Sequence, residues 1–541
     1  MKCPNCNGTL VFDVKNQIVR CLHCDSVFAP DQLKSSNSAD ESFYEGGKLY
    51  TCQNCGAELL SMDSEAVTYC NYCGSEAILE NEMSGINHPR FIIPFKISKD
   101  ECKSIYKKEI SKKWYVPSVF KKPEFIDKFR GIYIPYWMYY VQFRDDPMQF
   151  EGHKSYTRGS YDYYEDYLLT ARLSGNGLYG VPYDASRNFD DTIAEQIAPF
   201  DREQLTEYNE GYLAGMYADS PNVGAEIYRD EVLGQATDTA INDIERSFPG
   251  INVKIPVSNR ERQKLLKSEF LGYDAVLLPV WFLTWKNNNR VAYAVVNGQT
   301  GKLHIDLPID KFQFMKFTAI AAAVLFLLLT MFVSVTSRFV LWFSALLLYL
   351  VGRKYYSELK KIRNKDNHVF DKGYLLMEGD NDVTMSEKQR ERLRKRKKYL
   401  SAFSMGLGSA LGMIVFIVLC IFGFGFLGLM FDIAVSQEGA IGMTALILLL
   451  QIILFVKTIF VSFHLKNKSS IITSILSMAA IGYSWFVALT QPVQDWWYYI
   501  GALICLIVSS IVCFDLINRF NIASTRPIPS FYTRKGGNDN A

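Results

Sequence analysis

Residues 317–335, FTAIAAAVLFLLLTMFVSV, run for nineteen positions without a charge. That is close to the about 20 residues a helix needs to cross the hydrocarbon core of a bilayer. No comparable apolar run precedes it, and after it comes a series of apolar blocks separated by basic or short loops. A chain divided in this way reads as a soluble front half moored to a membrane back half. Its 541 residues leave room for three or four domains. The hydrophobic content of 49% and mean hydropathy of +0.01 average a polar half with an apolar one. The net charge of +2 hides a similar asymmetry: residues 1–90 hold twelve acidic side chains against six basic, and residues 353–398 hold fifteen Lys or Arg against eight acidic.

Eight of the twelve cysteines lie before residue 74, in paired CxxC motifs. Cys3-Pro-Asn-Cys6 is followed after fourteen residues by Cys21-Leu-His-Cys24, and Cys52-Gln-Asn-Cys55 after fourteen more by Cys70-Asn-Tyr-Cys73. Short apolar runs between the pairs predict hairpins that bring two CxxC turns around one tetrahedral ion. Four thiolates suit zinc, and units this small need a metal because they bury too little core to fold alone. The expectation is two Zn2+, held by Cys3, Cys6, Cys21 and Cys24 and by Cys52, Cys55, Cys70 and Cys73. Disulfides, a redox CxxC pair and iron are the alternatives. His23 sits inside a complete four-cysteine set and is expected at the surface. The chain opens on Met1-Lys2-Cys3 without the apolar stretch of a signal peptide, and reduced thiols at such spacing point to the cytoplasm. Nucleic acid is not an expected partner: four thiolates on zinc carry a formal −2, the segment is acidic, and phosphate contacts need Lys and Arg.

Residues 29–48 are polar and turn-rich and read as a flexible linker. Beyond Pro89 the pattern becomes α+β. Residues 91–95 read as a strand, and residues 100–114 as an amphipathic helix. Residues 131–143 read as an aromatic strand that Tyr156, Tyr161, Tyr163, Tyr164 and Tyr167 extend. Tyrosine favours half-buried strands, so sheet packing is preferred here over an aromatic ligand platform. Ser220-Pro221 reads as the start of a helix carrying Ile227, Val232, Ile241, Ile244 and Phe248. Residues 277–281 open a last strand pair, with turns at 287–289 and 297–298. Gly175-Asn-Gly-Leu-Tyr-Gly180 matches GxGxxG, yet Val181-Pro182 blocks the helix a dinucleotide site requires, so it reads as a loop. The chain has no HExxH, GxSxG or GxxxxGK, its six histidines are scattered, and Cys102 has no evident catalytic partner. No enzymatic activity is expected.

The order of CxxC pairs, FIIPFKI, GIYIPYWMYY, YGVPYDAS, IAPFD, EGYLAGMYAD, LLPVWFLTW and VVNGQTGKL resembles bacterial membrane proteins that carry TFIIB-type double zinc ribbons. Some of these bear names borrowed from primosomal helicases. The resemblance covers about residues 1–335. It implies that the eight ribbon cysteines are metal ligands. It also implies a membrane scaffold in envelope stress, with SPFH-, TPM- or phage-shock-type proteins as partners. Helicase activity is not implied, because a phosphate-binding loop is absent from the sequence.

After residues 317–335 the apolar blocks are 339–351 (extending to about 356), 400–431, 441–463, 471–489 and 496–516, so about six spans are expected. Lys and Arg gather in 353–398, at Lys466 and Lys468, and in the tail, whereas the opposite loops hold only Arg338. The positive-inside rule then places both termini in the cytoplasm of a multi-pass bacterial inner-membrane protein. Lys457 reads as a snorkelling residue, Asp515 lies near a helix end, and Gly406, Gly408 and Gly412 suggest close helix packing. The run Lys388, Arg390, Arg392, Arg394, Lys395, Arg396, Lys397, Lys398 could bind anionic membrane lipids or simply fix topology.

The fold class is therefore multidomain: two small zinc ribbons, a soluble α+β domain and an all-α transmembrane region. The boundaries are ribbon 1–28, linker 29–48, ribbon 49–83, α+β domain 84–312, membrane hairpin 313–357, basic loop 358–398, four further helices 399–520 and tail 521–541. The expected function is a non-enzymatic scaffold whose ribbons and α+β domain recruit proteins. The alternative is a transporter or channel with a zinc-stabilised regulator. Oligomeric state, homo-oligomer included, is left open.

Overall fold

The computed structural model describes residues 3–33, 48–52, 57–61, 70, 72–73, 78–81 and 89–317, then 320, 336–367, 437–465 and 467–527; residues 114, 145, 174–177, 187–188, 220, 222, 257 and 288–289 are excepted. Strands β1 (Leu10–Asp13), β2 (Ile18–Cys21) and β3 (Val27–Phe28) form a small antiparallel sheet. A 3-10 turn, Pro30–Leu33, comes next and packs on the 3-10 turn Glu210–Leu213. A side chain at Gly211 would meet Pro30 at 2.8 Å, so glycine permits this approach. The start of the expected linker is thus docked, and residues 34–47 lie outside the described ones.

The next strands are β4 (Lys48–Cys52), β5 (Glu58–Ser61) and β6 (Ile78–Asn81), then β7 (Phe91–Ile92). Helix α1 (Lys99–Ser111) starts at a capping box: the Ser98 hydroxyl accepts from the Glu101 N–H, and the Glu101 carboxylate accepts from the Ser98 N–H at 2.8 Å. Its buried Cys102, Tyr106 and Ile110 recur every four residues, so they share one face. A single turn, α2 (Pro123–Ile126), precedes the long strand β8 (Arg130–Gln142). β9 (Met148–Arg158) and β10 (Tyr161–Ala171) make a hairpin, followed by β11 (Leu178–Asp184) and α3 (Asp191–Ile197). Then come β12 (Thr206–Glu207), β13 (Tyr217–Asp219), α4 (Arg229–Arg246), β14 (Asn252–Val253) and α5 (Asn259–Leu266). The α+β head closes with β15 (Glu269–Asn287), β16 (Arg290–Asn297) and β17 (Leu303–Ile305).

One twelve-stranded sheet organises the head, in the order β12-β7-β15-β8-β13-β5-β4-β6, with β11 against β8 and β16 against β15. β8 and β15 pair from Gln142↔Glu269 to Arg130↔Phe282, with a bulge between Phe270 and Gly272. Both faces of this pair are buried. Tyr133, Leu277, Trp281 and Leu283 enter one core, and Ile132, Ile134, Val276, Leu278, Val280 and Phe282 enter the other. Double burial is why these strands read as almost unbroken apolar and aromatic runs.

Several expectations shift against this framework. The final strand pair begins at Glu269, before the expected 277, because the strand continues through the bulge. The helix expected from Ser220-Pro221 begins later: Ala225–Tyr228 forms a 3-10 turn and α4 starts at Arg229, with Val232, Ile241 and Ile244 buried. Gly180 lies within β11, so a strand, not a helix, succeeds the glycine-rich motif. The tyrosine strands pair as expected but are not half-buried. Tyr161 is 74% exposed, Tyr164 69% and Tyr163 43%, because their hairpin runs beyond the part of the core that covers its base.

Helices α6 (Ser337–Asp366), α7 (Gln437–His464), α8 (Lys468–Thr490) and α9 (Trp496–Ala523) form a bundle, in which α6 contacts the other three and α8 packs between α7 and α9. Within them Ile441–His464, Lys468–Thr490 and Trp496–Ala523 are long and apolar enough to span a membrane. Of the other expected spans, 339–356 lies in the first two-thirds of α6, while 400–431 and nearly all of 317–335 lie outside the described residues. α8 turns Ser470, Thr473, Ser474, Ser477, Ala480 and Ser484 inward, and leaves Ile472, Ile475, Leu476 and Phe486 exposed. Small residues inside and large apolar ones outside is the pattern of helices packed in lipid. Lys457 is exposed on α7, about two turns before His464. Asp515 pairs with Arg519 at 3.1 Å and accepts from the Tyr355 hydroxyl at 2.6 Å. Gly406, Gly408 and Gly412 lie outside the described residues.

A last strand, β18 (Arg526–Pro527), adds to the head by pairing with β16 at Arg290 and Val291.

Candidate metal centres

The first centre forms where two tight turns meet at the end of the β1–β2 hairpin. Asn7 and Asp25, each directly after the second cysteine of its pair, have φ of 59° and 55°. Asn and Asp tolerate this left-handed conformation better than most residues. Gly56 and Gly74 occupy the matching sequence positions in the second set, outside the described residues. The Asn7 N–H donates to the Cys3 carbonyl at 2.8 Å, and the Cys3 N–H to the Gly8 carbonyl at 2.8 Å. Gly8 lies so close that an added Cβ would sit 3.2 Å from the sulfurs of both Cys6 and Cys21.

The sulfurs of Cys3, Cys6, Cys21 and Cys24 all lie within 4.8 Å of one another. Cys6 and Cys21 are 3.4 Å apart, and Cys3 and Cys24 3.7 Å. A tetrahedral Zn–S length of about 2.3 Å would set sulfurs roughly 3.8 Å apart. The cluster therefore has the size of a four-thiolate metal site. Hydrogen bonds from Ser26, hydroxyl and backbone, with Cys6 adding to them, pull the Cys24 thiol down to about 6, and sharing a proton with Cys24 pushes Cys6 up to about 12. A cation bound among the four sulfurs would stabilise their thiolate forms. His23 is exposed, and its backbone N–H donates to the Cys21 sulfur at 3.4 Å.

In the second centre Cys52, Cys70 and Cys73 are buried with their sulfurs within 4.8 Å of one another, and Cys52 and Cys73 stand 3.5 Å apart. Cys55 lies outside the described residues, as do Lys388, Arg390, Arg392, Arg394, Lys395, Arg396, Lys397 and Lys398. Cys102 is buried in the head core, and burial pushes its thiol well up, as suits a packing residue.

Neither centre is an appendage. Around the first, the Phe12 N–H donates to the Ala214 carbonyl at 2.9 Å, the Phe12 ring meets Tyr212 edge-on at 5.4 Å, and the Gln17 amide donates to the Phe95 carbonyl at 2.8 Å. The second is woven into the main sheet: β5 pairs with β13, and β13 runs parallel to β8. Tyr72, inside the last CxxC, donates from its hydroxyl to Asp219 at 2.7 Å. Ser186 donates to the same carboxylate oxygen, and Tyr293 donates to the Tyr72 carbonyl at 2.7 Å. Tyr72, Ser186 and Asp219 are all buried. Asp219 could not be picked out from the sequence because its partner is 147 positions away. An aromatic residue within a CxxC turn was the one available hint.

These features define a class. It is an α+β protein whose two thiol clusters, one partly exposed and one buried, could hold metal ions, joined to helices suited to a membrane. The chain belongs to the family of the uncharacterised protein YdjG of Bacillus subtilis (strain 168), with which it is 30% identical over 315 residues, covering 57% of this chain and 90% of that protein. No family model matches the chain. No solved structure matches it.

Proposed function

We propose that this chain is a non-enzymatic scaffold of a bacterial inner membrane, whose two zinc ribbons and α+β head recruit partner proteins on the cytoplasmic side. The observation that carries this reading is the closed character of the first centre. Its four sulfurs, all within 4.8 Å of one another, would complete a tetrahedral set on one ion and leave no coordination position for a substrate, as in structural rather than catalytic zinc sites. Both centres also brace the head, so metal would stabilise a surface and not a reaction. In this reading the second centre is completed by Cys55, and about six helices hold the head to the membrane. The basic run Lys388–Lys398 then rests on anionic headgroups. By resemblance the partners are SPFH-, TPM- or phage-shock-type proteins and the setting is envelope stress.

A transporter is the second reading, favoured by Gln451. This residue is buried in α7 at 2% exposure, and its amide oxygen has no hydrogen-bond partner among the described residues. Unsatisfied polar groups in membrane helices often mark pathways.

One comparison decides between them. Full-length protein is captured after mild cross-linking in native membranes, beside a Cys21→Ser/Cys24→Ser form, and metal content is measured on both. Scaffolding predicts two zinc per wild-type chain, loss of zinc from the variant's first centre, and a discrete partner lost with it. The absence of any centre-dependent partner, together with solute flux through purified protein in liposomes, would replace this reading with transport.

A further inference from the structure

We propose that β10 is a docking edge for an extended, Lys- or Arg-bearing protein segment, which adds to the β9–β10 hairpin as a further strand. This inference rests on the recruitment reading and names its contact.

The hairpin is built to project. β9 and β10 pair without a slip from Met148↔Ala171 to Arg158↔Tyr161. The loop between them is Gly159-Ser160, and Gly159 has φ +67°, as the first position of a tight two-residue turn requires. Only the base is covered: Met148, Phe150, Leu169 and Ala171 enter the head core. From residue 153 to the turn, every β9 residue is exposed. β14 pairs with β9 only at Gly152 and His153, and among the described residues β10 pairs with nothing but β9.

Natural sheet edges are commonly blocked by a proline, a lysine, a bulge or shortness. β10 is eleven residues long, and its sequence YDYYEDYLLTA contains no proline and no basic residue. Among the described residues nothing pairs with its outer row of backbone N–H and C=O groups, the row another strand would use. One face of the strand carries Asp162, Tyr164, Asp166 and Leu168, and the other carries Tyr161, Tyr163, Glu165 and Tyr167. Leu168 is 72% exposed. Alternate cations on an added strand would meet Asp162, which also accepts from Thr157 at 2.7 Å, and Asp166, which also meets His153 at 2.8 Å, and would pass the ring of Tyr164, stacked on His153.

Charge excludes two other occupants. A second copy pairing β10 with β10 would place carboxylates opposite carboxylates or neutral residues in every register with no cation across the new seam, since the nearby His153 and Lys154 lie on the β9 side. An anionic lipid surface would be repelled, and it lies at the wrong end. The hairpin leaves the sheet after Gln142, which pairs with Glu269, whereas the bundle joins the head at Arg290, beyond the opposite end of β15. Those ends are separated by most of a nineteen-residue strand, roughly 60 Å if fully extended.

The test uses full-length protein in neutral phosphatidylcholine nanodiscs, titrated against fluorescent peptides while anisotropy is read. An alternating Lys-Val peptide should bind, more weakly as salt rises, and a Glu-Val peptide should not. Asp162→Asn/Glu165→Gln/Asp166→Asn should weaken Lys-Val binding by about tenfold or more. Asp162→Lys/Glu165→Lys/Asp166→Lys should reverse the preference to Glu-Val, which a misfolded hairpin could not do. Unchanged Lys-Val binding by the neutral variant would overturn the proposal, and so would equal binding of a Lys-Val peptide N-methylated at alternate residues. A disulfide between two copies at Tyr164→Cys would assign the edge to a second copy instead. Peptide binding does not depend on capture of partners by the cysteine centres, so the two readings fail separately.

Discussion

At the residue scale, the most consequential single contact is the Tyr72 hydroxyl on Asp219. A buried carboxylate needs donors, and Tyr72 and Ser186 both serve this one. Burial and the neighbouring Asp219 both raise the Tyr72 hydroxyl well above its ordinary range, so it remains a donor across physiological pH. Tyr72→Phe keeps the ring, and with it the edge-on contact with Phe282 at 5.9 Å, but removes one donor. Leaving a buried acceptor short of a partner costs about 1–3 kcal/mol. The denaturation midpoint of the detergent-solubilised protein should fall accordingly, and a chelator should strip metal faster from the second centre than from the first. Tyr161→Phe, on the exposed hairpin, should change neither. Equal metal release from both centres would show that Tyr72 does not hold the second centre to the sheet.

At the element scale, the junction between head and bundle is built from ions. Arg526, only 8% exposed, pairs with Asp190 at 2.7 Å and Asp306 at 3.4 Å and lies 5.5 Å from the centre of the Tyr293 ring. Lys365 at the end of α6 reaches Asp306 at 3.8 Å, and Arg290 reaches Asp366 at 2.8 Å. Removing one member of such a group leaves an uncompensated buried charge, at a cost of about 3–5 kcal/mol. Asp306→Asn should therefore release β18 and raise amide exchange along β16. The pH dependence has a definite sign. Burial alone would raise Asp306, but Lys365, His304 and Arg526 hold it well below the carboxylate range; Asp190 is likewise held down, against burial, by Arg526 and Thr192. Lowered carboxylates contribute their full stability above the unfolded value of about 4 and lose it as pH falls further. Exchange protection of β18, corrected for intrinsic rates, should thus be flat from neutral pH to about pH 5 and fall in stronger acid. None of this was legible in the sequence, because Arg526 meets Asp306 across 220 positions. What was legible was local: the CxxC turns of the first centre, apolar runs for α7, α8 and α9, and the pairing of β15 with β16. Aromatic alternation signalled β10 correctly as a strand. It carried no information on whether anything would cover its faces, since an exposed hairpin and a packed one share the same period. The thiol clusters were readable because a metal site needs its ligands in close pairs, whereas the Tyr72–Asp219 lock has no such local rule.

At the scale of the whole molecule, the bundle has two unlike ends. The head occupies one: Asn521 of α9 accepts from the Ile309 N–H at 2.7 Å, and β18 enters the sheet directly after that helix. At the other end the Ser337 hydroxyl donates to Asp495 at 2.7 Å, joining the starts of α6 and α9. Arg353, Lys354, Lys360, Lys361, Arg363, Lys365, Lys468 and Arg519 belong to the head-side part of the helices, and Arg338 to the far part. In the proposed orientation the basic end lies in the cytoplasm, as the positive-inside rule expects, and the head goes with it because the ion cluster ties the two together. Val493, fully exposed in the far loop, then faces outward. A membrane-impermeant maleimide should label Val493→Cys in intact cells, while Tyr161→Cys on the head should react only after permeabilisation. Labelling in the reverse order would put the cysteine centres in an oxidising compartment, where thiols pair as disulfides. It would therefore overturn the orientation and the zinc assignment together. Labelling as expected would place both cysteine clusters on the reducing side, where the proposed zinc sites could form.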